Sequence, residues 1–88
     1  MIRFTDSAFR HGYTENDYWE ARRNRRLLLR SRRGLTDVYE LLGRNDAGDY
    51  LPVLTKRYLK QGEEVVIVFH MSRMSDGDRR RFIRTVQR

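Results

Sequence analysis

Two histidines and one arginine carry most of the chemistry that this chain could perform. His70 closes the most apolar run of the sequence, Val65 to Phe69, and Ser72 and Arg73 follow within three positions. An imidazole can take or give a proton near neutral pH. A guanidinium can hold two oxygens of a phosphate at once. His11 is the second imidazole, in Arg10-His11-Gly12. Glu15, Asp17, Glu40, Tyr13 and Tyr39 are further groups able to assist proton transfer. His70, Arg73 and His11 are therefore the candidate catalytic residues. Each also has a plainer role. His70 could be a half-buried histidine on a sheet face. Arg73 could pair with Asp76 or Asp78 at a helix entry. His11 could sit in a last helical turn, where the helix end favours positive charge.

Charge points to the kind of partner. The 88 residues carry a formal net charge of +7, and 17 of the 19 basic residues are arginine. A strong positive excess on so small a domain suits a polyanion. Seven arginines fall between Arg22 and Arg33. Arg26, Arg30 and Arg32 of this run, Lys56 and Arg57 from a later strand, and Arg80 from the last helix are the candidate RNA-binding residues. The run could equally be a solvated face, or a surface for an acidic protein.

Other chemistries lack their motifs. The sequence has no cysteine, no phosphate-binding glycine loop, no dinucleotide fingerprint, no His/Cys metal spacing and no serine on a glycine-flanked elbow. No metal or cofactor is called for. With no cationic leader and no apolar run near 18 residues, the expectation is a cytoplasmic protein.

The elements that must position these residues follow from patterning. Phe4-Thr5 through Gly12 predicts a short helix, with Thr5 as cap and Phe4 packed on Phe9. Thr14 and Asp17 predict a capping box for a second helix, from Glu15 to about Arg23. Strands are expected at about Arg26 to Ser31, Thr36 to Gly43, Tyr50 to Leu59 and Val65 onward, with short turns between them. Short connections favour antiparallel pairing. Ser75 to Arg88 predicts a C-terminal helix capped by Ser75, with Phe82, Ile83 and Val86 toward the sheet and Arg80, Arg84 and Arg88 in water. The order is α-α-β-β-β-β-α. It describes one α+β domain, residues 1–88, with its helices on one face of a four-stranded, mainly antiparallel sheet. Regular alternation would put His70 and Arg73 on opposite faces of the last strand, so both can serve one site only through a twist or bulge at Met71-Ser72.

Three motifs resemble those of one family. They are Arg10-His11-Gly12-Tyr13-Thr14-Glu15-Asn16-Asp17, the turn Gly43-Arg44-Asn45-Asp46-Ala47-Gly48, and His70-Met71-Ser72-Arg73-Met74 before the basic helix that contains Asp78 to Phe82. In order and spacing they resemble the BrnT family of type II toxins, small RelE-like ribonucleases that inhibit translation. The resemblance implies a RelE-like fold, metal-independent cleavage of RNA, and a ribbon-helix-helix antitoxin as partner in a hetero-oligomer. Cleavage of this kind uses RNA's own 2′-hydroxyl as nucleophile, a base and an acid for the two protons, and cations for the phosphorane. The rival expectations are a non-catalytic nucleic-acid-binding module and a toxin-derived co-repressor subunit.

Overall fold

The computed structural model describes residues 1–30 and 37–86; of Arg26, Leu27, Leu29, Arg30, Phe82, Ile83, Thr85 and Val86 it describes the backbone. Its elements are β1 (Ile2–Phe4), a 3-10 turn (Asp6–Phe9), α1 (Glu15–Arg23), β2 (Arg25–Arg30), β3 (Val38–Arg44), β4 (Tyr50–Lys60), β5 (Glu63–Met71) and α2 (Asp76–Val86). The strands form one mixed sheet in the order β1-β5-β4-β3-β2. β2 to β5 are an antiparallel meander, and β1 pairs in parallel with β5.

The expected α-α-β-β-β-β-α order, with its RelE-like architecture, is corrected at the N-terminus. A strand comes first, and a single α-helix follows a 3-10 turn. The first helix fails for lack of length. Its bonds are Ala8 N–H to Thr5 C=O, 3.0 Å, and Arg10 N–H to Ser7 C=O, 3.4 Å, the tighter three-residue pattern. Four residues cannot offset the cost of helix nucleation. Thr5 and Ser7 are also engaged elsewhere: Thr5 N–H donates to Val68 C=O and the Ser7 hydroxyl to Phe69 C=O, at 3.0 and 2.8 Å. Phe4 does pack on Phe9, ring centroids 5.7 Å apart.

α1 forms where its signals place it. The Thr14 hydroxyl accepts from Asp17 N–H, and the Asp17 carboxylate accepts from Thr14 N–H. The helix lies flat on β3. A Cβ on Gly43 would stand 1.9 Å from the Ala21 carbonyl oxygen, so only hydrogen fits. Tyr18 and Ala21 of α1, Ala8 of the 3-10 turn, and Leu41, Leu51, Val53, Val68 and Met71 of the sheet form the core. All the sheet residues of this set lie on the α1 face.

The last helix lies on the other face, which corrects the expectation of helices on one side. Arg81 of α2 pairs with Glu40, and Glu40 alternates with Leu41 on β3. Ser75 caps α2 through Asp78 N–H, 3.1 Å. Arg80 and Arg84 are exposed. The expected Phe82, Ile83 and Val86 stripe, and Arg88, lie outside the described side chains. β4 turns into β5 through Gln61-Gly62, both with positive φ (51° and 79°), the turn that suits a two-residue hairpin. No helix among the described residues is long and apolar enough to cross a membrane.

Gly43→Ala should therefore push α1 off β3. Overpacking of this kind costs about 1–3 kcal/mol. Urea unfolding is expected to show a lowered midpoint; an unchanged midpoint would mean that the helix does not sit where it is described.

Candidate functional site

The three sequence motifs meet at one end of the sheet, where β3 and β5 finish and β4 begins. The first junction joins α1 to the β3–β4 turn. Asn45 is buried, 4% exposed. Its side-chain amide donates to the Asp17 carboxylate at 3.2 Å, and its side-chain oxygen accepts from Asp49 N–H at 2.8 Å. Asp46 N–H donates to the Glu20 carboxylate, 2.9 Å. Asp17 thus caps its own helix with one oxygen and holds the turn with the other. Gly48, at φ 95°, closes the turn in a conformation that side chains rarely adopt.

The second junction joins the same region to the end of β5. The Tyr13 hydroxyl donates to the Asp49 carboxylate at 3.3 Å. The phenol is held above its ordinary pKa, first by burial, then by the Asp49 charge and by this hydrogen bond, while Arg73 acts in the opposite direction. Arg73 is thus close enough to Tyr13 to be felt. After Met71 the chain still runs beside β4: Ser72 N–H donates to Pro52 C=O and Met74 N–H to Tyr50 C=O.

The third junction brings the two histidines together. The rings of His11 and His70 meet edge to face with centroids 5.2 Å apart. His11 is exposed and His70 half-buried. Tyr13 lies two residues from His11, a span of at most about 7 Å. The backbone that brings His11 to His70 thus brings Tyr13 to the same end of the sheet.

The irregularity of this strand lies ahead of Met71-Ser72, at Phe69, and because it precedes both His70 and Arg73 it leaves their alternation relative to each other unchanged. Leu54 pairs with His70 and Thr55 with Val68, so Phe69 is an extra residue and the bulge lies there. β5 ends at Met71, and the bonds from Ser72 and Met74 to Pro52 and Tyr50 set Arg73 beside Leu51, on the α1 side, whereas His70 stands opposite Leu54 on the other side. Arg73 lines a cleft of about 510 Å³ with Gly48, Asp49, Tyr50, Met74, Asp76 and Arg79.

Of the candidate binding residues, Lys56, Arg57 and Arg80 do not line this cleft. Lys56 is exposed on the face opposite α1. Arg57 is on the α1 face, three residues and about 10 Å along β4 from Leu54, the partner of His70. Its guanidinium stacks on Tyr39, 5.2 Å from the ring centroid, and pairs loosely with Glu64 at 3.9 Å. Arg80 does not line the cleft, whereas its neighbour Arg79 does. The side chains of Arg26 and Arg30, and all of Arg32, lie outside the described residues. Asp49, Asn45 and Arg79 were not singled out from the sequence. The turn signal marks Asn45 as a turn residue only, and the side-chain partners Asp17 and Tyr13 are distant in the chain.

Compared with known proteins, the sequence matches no family model and no curated protein, and the fold matches no solved structure.

The raised Tyr13 value fixes a sign. The fold favours the protonated phenol, so its contribution is complete below the unfolded value near 10 and is lost as pH rises through the native value. Tyr18, raised chiefly by burial, acts in the same sense. Between about pH 8 and about pH 11 the wild type should lose urea stability, and Tyr13→Phe should lose less of it. Equal losses in the two proteins would remove Tyr13 from the linkage.

Proposed function

We propose that this protein is a metal-independent endoribonuclease acting as the toxin of a type II toxin–antitoxin pair, of the BrnT kind. The observation that carries the reading is the contact between His11 and His70, residues 59 positions apart by number (70 minus 11), with Tyr13 and Arg73 at the same end of the sheet. Two imidazoles supply the base and the acid that transesterification needs, and Arg73 supplies charge for the phosphorane oxygens. The rings touch, so no phosphate fits between them. Both would engage the scissile phosphate from one side. One imidazole takes the 2′-hydroxyl proton as O2′ attacks phosphorus. The other protonates the departing O5′, leaving a 2′,3′-cyclic phosphate. The order in which the three resembling motifs stand, and their meeting at one end of the sheet, support the same reading. It carries with it a ribbon-helix-helix antitoxin as partner and a cytoplasmic site of action.

Expression of this chain alone should arrest growth. His11→Ala, His70→Ala and Arg73→Ala should each relieve the arrest, and should slow RNA cleavage in chelator by about 10²–10⁴-fold for the histidines and 10²–10³-fold for the arginine. A harmless wild type that leaves RNA intact would exclude catalysis and favour a binding module. Cleavage that survives both histidine substitutions would exclude the histidine site.

A further inference from the structure

We infer that the rim around the β3–β4 turn is a phosphate track for single-stranded RNA, formed by Arg25, Arg44, Arg73 and Arg79; this deepens the ribonuclease reading and rests on it. Two clefts flank residues 45–49. One contains Arg73 and Arg79. The other, about 500 Å³, is lined by Arg23, Asn24, Arg25, Arg44, Asn45 and Asp46. Arg44 connects them. It lines the second cleft, and its guanidinium stands 3.5 Å from where a Cβ on Gly48, a residue of the first, would be. The Asn24 side-chain amide, donating to Arg44 C=O at 3.0 Å, fixes the end of α1 beside it.

The charges on this rim are available to a ligand. Arg25, Arg44, Arg73 and Arg79 are all exposed, and among the described residues none of them forms an ion pair. Arg23 is different, because Asp46 holds it at 3.2 Å. Of the carboxylates nearby, Asp49 already accepts from Tyr13. The row leads to the end of β5, where the histidines meet.

The path selects the form of the polyanion. Arg25 stands across from Gly43 on the α1 face, and Arg44 is the next residue of β3, on the opposite face. Arg73 lies beside Leu51, about two strand spacings or ~10 Å from β3. A ligand touching all of them must bend over the sheet rim. A single strand can follow such a path, whereas a duplex is stiff over many turns.

The test is anisotropy of a short fluorescent 2′-O-methyl oligoribonucleotide, which binds and cannot be cleaved, across a salt series. Arg25→Gln/Arg44→Gln/Arg79→Gln is compared with Arg3→Gln/Lys60→Gln/Arg84→Gln, which removes the same charge elsewhere. Each phosphate contact on a single strand contributes about 0.7 to the slope of log affinity against log salt. The first triple variant should lose about 2 from the slope and at least roughly tenfold in affinity at low salt, with its urea midpoint retained. The second should keep most of both. Equal effects of the two triples overturn the track and leave the ribonuclease reading standing. A wild type that binds no oligoribonucleotide overturns that reading as well. Competition by duplex RNA as strong as by single strands overturns the assignment to single strands.

Discussion

The site depends on the lodging of the first few residues against β5. Val66 N–H donates to Met1 C=O, Thr5 N–H to Val68 C=O, and the Ser7 hydroxyl to Phe69 C=O. These bonds join residues more than sixty positions apart, and they set where the chain leaves the sheet. β1 stops at Phe4, opposite Val68. The edge of β5 beyond that point, from Phe69 to Met71, is left for the 3-10 turn. His11, which follows directly, meets His70 at this edge. A β1 longer by two residues would cover the edge and separate the rings. A regular first helix would carry His11 away along its axis.

A second constraint holds the other half of the site. α1 approaches β3 so closely that Gly43 has room for no side chain. This sets the depth of the helix, and with it the reach of Asp17 to Asn45 and of Tyr13 to Asp49. A buried asparagine must find partners for both ends of its amide, since an unmade hydrogen bond there costs about 1–3 kcal/mol. Asn45 finds one on α1 and one on its own turn. The turn, the helix start and the residues after β5 are therefore a single polar assembly on an apolar floor of Leu51, Val53 and Met71.

Local signals were legible in the sequence, and nonlocal ones were not. The capping box of α1, the Gln61-Gly62 hairpin and the Asn45 to Gly48 turn depend on residues a few positions apart, and their chemistry is visible in the chain. β1 has three residues, too few to show alternation, and its partner is at the far end of the sequence. The 3-10 turn resembled a helix because Thr5 looks like a cap; in the fold the Thr5 backbone is used by β5, and its hydroxyl meets Ser7 at 2.7 Å. Among the candidate site residues, His11, His70 and Arg73 come to the same end of the sheet. Lys56 and Arg57 are in register with the other end. Arginine density told only part. The run from Arg22 to Arg33 stands out by composition and supplies Arg25 to the rim of the β3–β4 turn, whereas Arg44, Arg73 and Arg79 come from three other segments.

The bulge at Phe69 shows why a strand-end site needs irregular backbone. In a regular ladder His70, two residues past Val68, would face α1; the extra residue sets it opposite Leu54 instead, on the face away from α1. The extra residue turns this part of β5 and leaves Phe69 C=O for the Ser7 hydroxyl to occupy. Past Met71, Ser72 and Met74 still bond to Pro52 and Tyr50, which holds Arg73 beside Leu51 at the beginning of β4. One inserted residue and one early stop convert an apolar central strand into a carrier for an imidazole at its edge and a guanidinium beyond its end. Rigidity and reach come from the same strand: Val68 and Met71 are fully buried on either side of the bulge. The groups proposed as catalytic are thus held by packing two residues away.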